Sequence, residues 1–167
     1  MTGAPFIVVL GVGNTMMQDD GIGVRAVRTL AETYELPPRV RLVEGGVAGL
    51  RCLSEFEGAG NILIVDAADG KKPPGAIARL SPEELPERRE GVFSAHEMGV
   101  ADLLSIARFL GKLPPTRIVA VQPKEAHSVG PDLTPELLDA LPRVVEVLAE
   151  ELRALGVEPV RKGARHA

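Results

Sequence analysis

The stretch from Gly11 to Val24, GVGNTMMQDDGIGV, decides how the rest of this chain reads. An apolar run, Phe6 to Leu10, precedes it, and behind it Gly23, Val27, Leu30, Ala31 and Tyr34 recur at helical spacing. The stretch is therefore a loop between a buried strand and a helix. In open α/β sheets, ligands sit where loops leave the carboxyl ends of strands, which gives this loop a functional reading.

Its glycines allow close backbone approach, and Asn14 tolerates left-handed geometry. Asp19 and Asp20 stand where a helix N-cap is expected, and one carboxylate suffices to cap. The other is then left to face the crevice as a metal ligand or acid/base group. A dinucleotide loop is the rival. Its Gly-x-Gly-x-x-Gly spacing fails at Met16, and Asp19 and Asp20 occupy the position where a pyrophosphate would bind. Glu44, at the end of the next strand, is the one residue that imitates the ribose-binding acid of such folds.

The chain has 167 residues, 45% hydrophobic and 25% charged, which fits one globular domain over residues 1–160 with a disordered tail at 161–167. A net charge of −4 leaves no electrostatic footprint for nucleic acid. The single cysteine, Cys52, excludes an internal disulfide, and no signal peptide or membrane span is recognisable. A cytoplasmic monomer is the expectation.

Downstream, Leu36-Pro37-Pro38 stops the first helix, and Val40 to Val43 forms a second strand ending at Glu44. Gly45-Gly46-Val47-Ala48-Gly49 opens a helix from Leu50 to Phe56, with Cys52 and Phe56 on one apolar face. The turn Gly45, Gly46, Val47 offers a backbone surface for an extended peptide. Asn61 to Val65 is a buried parallel strand closed by Asp66, with Asp69 three residues on. Ala76 to Leu80 is a short strand, and Ser81 to Gly91 an exposed loop with one helical turn.

Ser94 and Glu97 have capping-box spacing, which opens a helix with His96 in its first turn and Val100, Leu103, Leu104, Ala107 and Leu110 on its apolar face. The positive end of a helix favours a neutral imidazole, the form that binds metals. Arg117 to Val121 is the last clear strand, followed by a polar loop, Gln122 to Leu133, carrying His127. Thr134-Pro135 then starts a closing helix that buries Leu138, Leu141, Val145, Leu148, Leu152 and Leu155, with a kink at Pro142.

Alternating strands and helices imply a mostly parallel, twisted sheet of about five strands in an α/β/α sandwich. Strand carboxyl ends and the helix N-termini after them share one edge, which brings Asp20, Asp66 and His96 together there. Two carboxylates and an imidazole suit a divalent ion of the zinc or nickel kind, and a metal-free acid/base site would use the same residues.

These motifs carry a resemblance. GVGNTMMQDDGIGV, EGGVAGL, IVDAADG, FSAHEMGVADLL and GPDLTPEL, in that order and spacing, are similar to those of the hydrogenase maturation endopeptidases, which trim the C-terminal extension of the large-subunit precursor of nickel-iron hydrogenases. The resemblance implies that Asp20, Asp66 and His96 bind the metal, the first position often being Glu in that family. It implies a protease that acts once nickel is in the precursor, with the precursor as partner. Whether the ion belongs to enzyme or substrate stays open. So do two other readings, a non-catalytic nickel-sensing chaperone and a small-molecule metallohydrolase. Asp19, better placed to cap the helix, is not expected to be a ligand.

Overall fold

A computed structural model of the chain describes residues 5–47, 49–85 and 99–163. The apolar run extends into strand β1 (Phe6–Val12), followed by a 3-10 turn (Gln18–Gly21) and helix α1 (Ile22–Thr33). Next come β2 (Tyr34–Glu35), β3 (Val40–Gly46), a 3-10 turn (Gly49–Cys52) leading into α2 (Leu53–Phe56), and β4 (Ala59–Ala67). The chain closes with β5 (Ile77–Leu80), α3 (Val100–Phe109), β6 (Thr116–Val121), α4 (Pro135–Ala154) and β7 (Val160–Arg161).

The five-stranded sheet has the order β3-β1-β4-β6-β5, parallel except for β5, which lies antiparallel at one edge. Strand pleating sends alternate residues to opposite faces. Ile7, Val9, Leu63 and Val65 pack with α1 and α4, whereas Val8, Leu10, Ile62 and Ile64 pack with Cys52, Phe56 and α3. The result is the expected three-layer sandwich. The chain leaves β1 for β3 on one side and reaches β4 on the other, so the strand order reverses between β1 and β4. That reversal opens a crevice at the strand carboxyl ends, where the loop after β1 lies.

Two glycines seat that loop. A Cβ on Gly23 would lie 2.2 Å from the Val65 carbonyl oxygen and 2.5 Å from that of Val12, and one on Gly11 would lie 2.5 Å from the Gly23 oxygen. The first turn of α1 therefore touches β1 and β4 backbone to backbone, a contact that any side chain would prise apart. The motif glycines serve this packing.

Several expectations need correction. Ala31 is exposed, and Tyr34 lies beyond α1 in β2, so the helix ends before the prolines. Leu110 and Leu138 are half exposed, and in α4 the buried residue of that turn is Leu137. Ala31, Leu110 and Leu138 all lie at the margin of an apolar stripe. Helix α3 begins at Val100 behind an extended Gly99 whose N–H donates to the Asp102 carboxylate at 3.3 Å, later than a Ser94 start requires. Ser94, His96 and Glu97 lie outside the described residues. Arg161 belongs to β7, which pairs with β2, and Lys162 N–H donates to the Thr33 carbonyl at 2.9 Å, so the ordered fold passes the boundary expected at residue 160.

Candidate active site

Asp66 is the last but one residue of β4, paired with Ala120 of β6, and Asp20 lies in the 3-10 turn that follows β1. Both are partly buried. The loop is shaped by Asn14, whose N–H donates to an Asp20 carboxylate oxygen at 2.8 Å while its side-chain oxygen accepts the Met16 N–H at 2.9 Å. Gly13, at φ +123°, brings the chain so close to Asp20 that a Cβ would lie 1.8 Å from its carbonyl oxygen. Asp20 is thus held from its backbone and from its carboxylate.

The two carboxylates feel each other. Burial, and after it the Asp20 charge, pushes the Asp66 carboxyl well above the usual aspartate range, against the pull of the Ala67 N–H. Two like charges in a partly buried crevice are relieved by a proton or a cation, so the oxygen donors fit a divalent ion. Among the described residues no set of three His, Cys, Asp or Glu side chains forms a metal-holding group. His96, the expected third member, lies outside them.

A raised native value means that the folded state holds the Asp66 proton more tightly than the unfolded chain does. Stability from this group is therefore greatest at low pH and declines as pH climbs from about 4, the ordinary aspartate value, through the raised one. In chelator-treated protein, Asp66→Asn is expected to raise the melting temperature at pH 7 and to flatten its pH dependence. An equal or lower melting temperature would contradict the strained pair.

The neighbouring acids have other tasks. Asp19 is fully buried and does not cap its own helix. Its Oδ2 accepts the Lys124 and Glu125 N–H groups at 2.9 Å, and its Oδ1 accepts the Thr134 N–H at 2.8 Å. The Thr134 hydroxyl donates to the same carboxylate at 2.9–3.0 Å instead of capping α4. Asp69 accepts the Lys71 N–H and a Gln122 amide N–H, and the Gln122 oxygen accepts the Gly70 and Lys72 N–H groups. Buried Gln122 thereby pins the loop after β4, a role its place in a polar stretch did not signal. His127 is exposed, its N–H donated to the Glu125 carboxylate.

Beside Asp20 lies an open depression of about 220 Å³ lined by Gly13, Asn14, Thr15, Val24, Arg28, Glu44, Gly46 and Val47. Glu44 pairs with Arg28 across it at 2.5 Å, so the acid that resembled a ribose ligand is an ion-pair partner. Gly45 is buried against Leu10 Cδ1 and Cys52 Sγ, which leaves a Cβ no room, and Gly46 needs its positive φ of +53°. Of the turn residues, Val47 is the one open to solvent.

The model of the hydrogenase maturation protease family matches residues 24–151. The chain belongs to the hydrogenase maturation protease family. The Escherichia coli hydrogenase 2 maturation protease is 38% identical over 96% of this chain and 98% of its own length. The Rhodobacter capsulatus hydrogenase expression/formation protein HupD is 34% identical over 95% of this chain and 76% of its own. Among solved structures, the E. coli hydrogenase maturating endopeptidase HybD superposes with a TM-score of 0.84 at 34% identity, covering 94% of this chain and 98% of that one. The Thermococcus kodakarensis [NiFe] hydrogenase maturation protease HybD gives 0.65 at 30% identity, covering 88% and 98%.

This maturation protease is a peptidase whose one cysteine sits in the core. Cys52 packs with Leu10, Phe56 and the α3 residues, and burial followed by the Glu55 charge pushes its thiol up, away from the nucleophilic thiolate. Cys52→Ala is expected to process precursor normally at a packing cost of about 1 kcal/mol, or about 2–4 °C in melting temperature. Abolished cleavage with the fold intact would point to thiol chemistry.

Proposed function

We propose that this protease removes the C-terminal extension of a nickel-iron hydrogenase large-subunit precursor after nickel insertion. Asp20, Asp66 and His96 engage the ion, which is the precursor's own nickel and so part of the substrate. The carboxylate pair at the β1/β4 reversal, in a chain of a peptidase family, carries this reading. A divalent ion at such a site supplies Lewis-acid polarisation and water activation.

The chain's own residues supply the rest. Asp20 is pre-set by the Asn14 N–H to face the crevice. Asp66, whose carboxyl burial and then the Asp20 charge push well above the usual aspartate range, is the group that takes up or delivers a proton at a carboxyl oxygen as the peptide bond is hydrolysed. Gly46 and Val47 of the turn Gly45, Gly46, Val47 line the depression beside Asp20, and extended substrate backbone is proposed to run over them. Gly45 supports that turn from beneath.

The test is intact-mass measurement of large-subunit precursor, nickel-loaded and nickel-free, after incubation with the purified protease. Loss of the C-terminal extension from the loaded form alone is the expected result. Binding with no mass loss would make the protein a chaperone, and equal cleavage of both forms would overturn the nickel requirement.

A further inference from the structure

The depression beside Asp20, at about 220 Å³, falls below the usual 300–1,000 Å³ of a small-ligand pocket. It accommodates little more than a side chain or two, so most of the affinity for a protein substrate has to arise on the surrounding surface. Among the described residues seven large apolar side chains are exposed, and five of them, Met16, Val47, Leu50, Val129 and Leu138, lie on the edge that carries Asp20 and Asp66.

Their placement follows from the parallel strands. Met16 follows β1, Val47 and Leu50 follow β3, Val129 lies in the loop after β6, and Leu138 is in the first turn of α4. Met16 and Val129 are drawn together by the Gly130 N–H, which donates to the Met16 oxygen at 2.8 Å, and by the Gln18 N–H, which donates to the Gly130 oxygen at 2.9 Å. Val47 lines the depression together with Gly13, Asn14 and Thr15. Val129 is 80% and Val47 66% exposed, so the core has no use for them. The remaining two, Phe109 and Leu110, end α3 at the opposite edge of the sheet.

We propose that this apolar rim docks the folded body of the protein substrate, seating a complementary apolar surface of the precursor around the carboxylates. The inference rests on the proteolytic reading above and adds where recognition occurs. Val47 lines the depression and Met16 directly follows Thr15, which also lines it, so a protein substrate that reaches the site meets the rim beside it. A second copy of this chain bound there would cover Asp20 and Asp66, and a lipid surface presents no peptide bond to them. Exposed apolar patches of this kind mark protein contacts.

The experiment compares Met16→Asp, Leu50→Asp and Val129→Asp with Phe109→Asp as the control from the other edge, all checked for an unchanged melting temperature. Half-saturating precursor concentration and the rate at saturation are read from cleavage, and precursor binding from pull-down. Each rim variant should raise the half-saturating concentration by about tenfold or more, as loss of an interface anchor does, with the saturated rate within about twofold. Phe109→Asp should match the wild type.

Cleavage by the wild type with rim variants equal to it would overturn the docking surface and leave the proteolytic reading standing. A wild type that binds but does not cleave would overturn that reading, while weaker pull-down by the rim variants would still support the rim. A concentration-dependent dimer, or binding to lipid vesicles, that any of the three rim substitutions abolishes would reassign the surface and overturn the proposal.

Discussion

Asp20→Asn and Asp66→Asn are each expected to slow precursor processing by roughly 10²–10⁴-fold, the range associated with loss of a general acid or base. Each change keeps shape and removes charge. In Asp20→Asn the side-chain oxygen can still accept the Asn14 N–H, so the loop should keep its course. In Asp66→Asn the buried charge, and with it the repulsion from Asp20, is gone, so the variant should be at least as stable as the wild type. Loss of activity without loss of stability is the signature expected of residues kept for chemistry. Asp20→Glu, which keeps the carboxylate, should process precursor. Intact-mass assays and thermal melts on the same preparations check both halves, and normal processing by either Asn variant would remove that residue from the site.

One residue earlier, the expected effect is of the opposite kind. Asp19→Ala would leave three backbone N–H groups, of Lys124, Glu125 and Thr134, without their acceptor inside the fold. Each such orphan costs about 1–3 kcal/mol, so a loss of about 3 kcal/mol or more is expected. For a chain of this size that is about 6–12 °C in melting temperature. Asp19→Asn, which keeps one acceptor oxygen but turns an amide N–H toward another donor, should fall between. Well below its melting temperature each variant should still cleave. A melting temperature within 1–2 °C of wild type would contradict the bracing role.

The contrast between these adjacent acids shows what local pattern conveys. The strand–loop–helix reading of Gly11 to Val24, the parallel core strands and the placement of Asp20 and Asp66 on one edge were legible because they follow from period and chain order. Asp19 was read as a cap because its partners lie more than 100 residues away, and no local rule reports a carboxylate that braces a distant loop. Gln122 escaped in the same way, its partners Asp69, Gly70 and Lys72 lying 50–53 residues away. Pairing of β2 with β7 was hidden because two-residue strands carry no alternation to read. The stripe errors at Ala31, Leu110 and Leu138 arose where a helix face meets solvent, a boundary set by the neighbouring layer more than by spacing.

The most direct measurement sets Asp19→Asn beside Asp20→Asn in one cleavage assay on nickel-loaded precursor, at a temperature where both are folded. The expected result is that Asp19→Asn releases the C-terminal extension and Asp20→Asn does not, although the latter melts at the higher temperature. Release by Asp20→Asn at the wild-type rate, or its loss in folded Asp19→Asn alone, would contradict the assignment of chemistry to the Asp20–Asp66 pair.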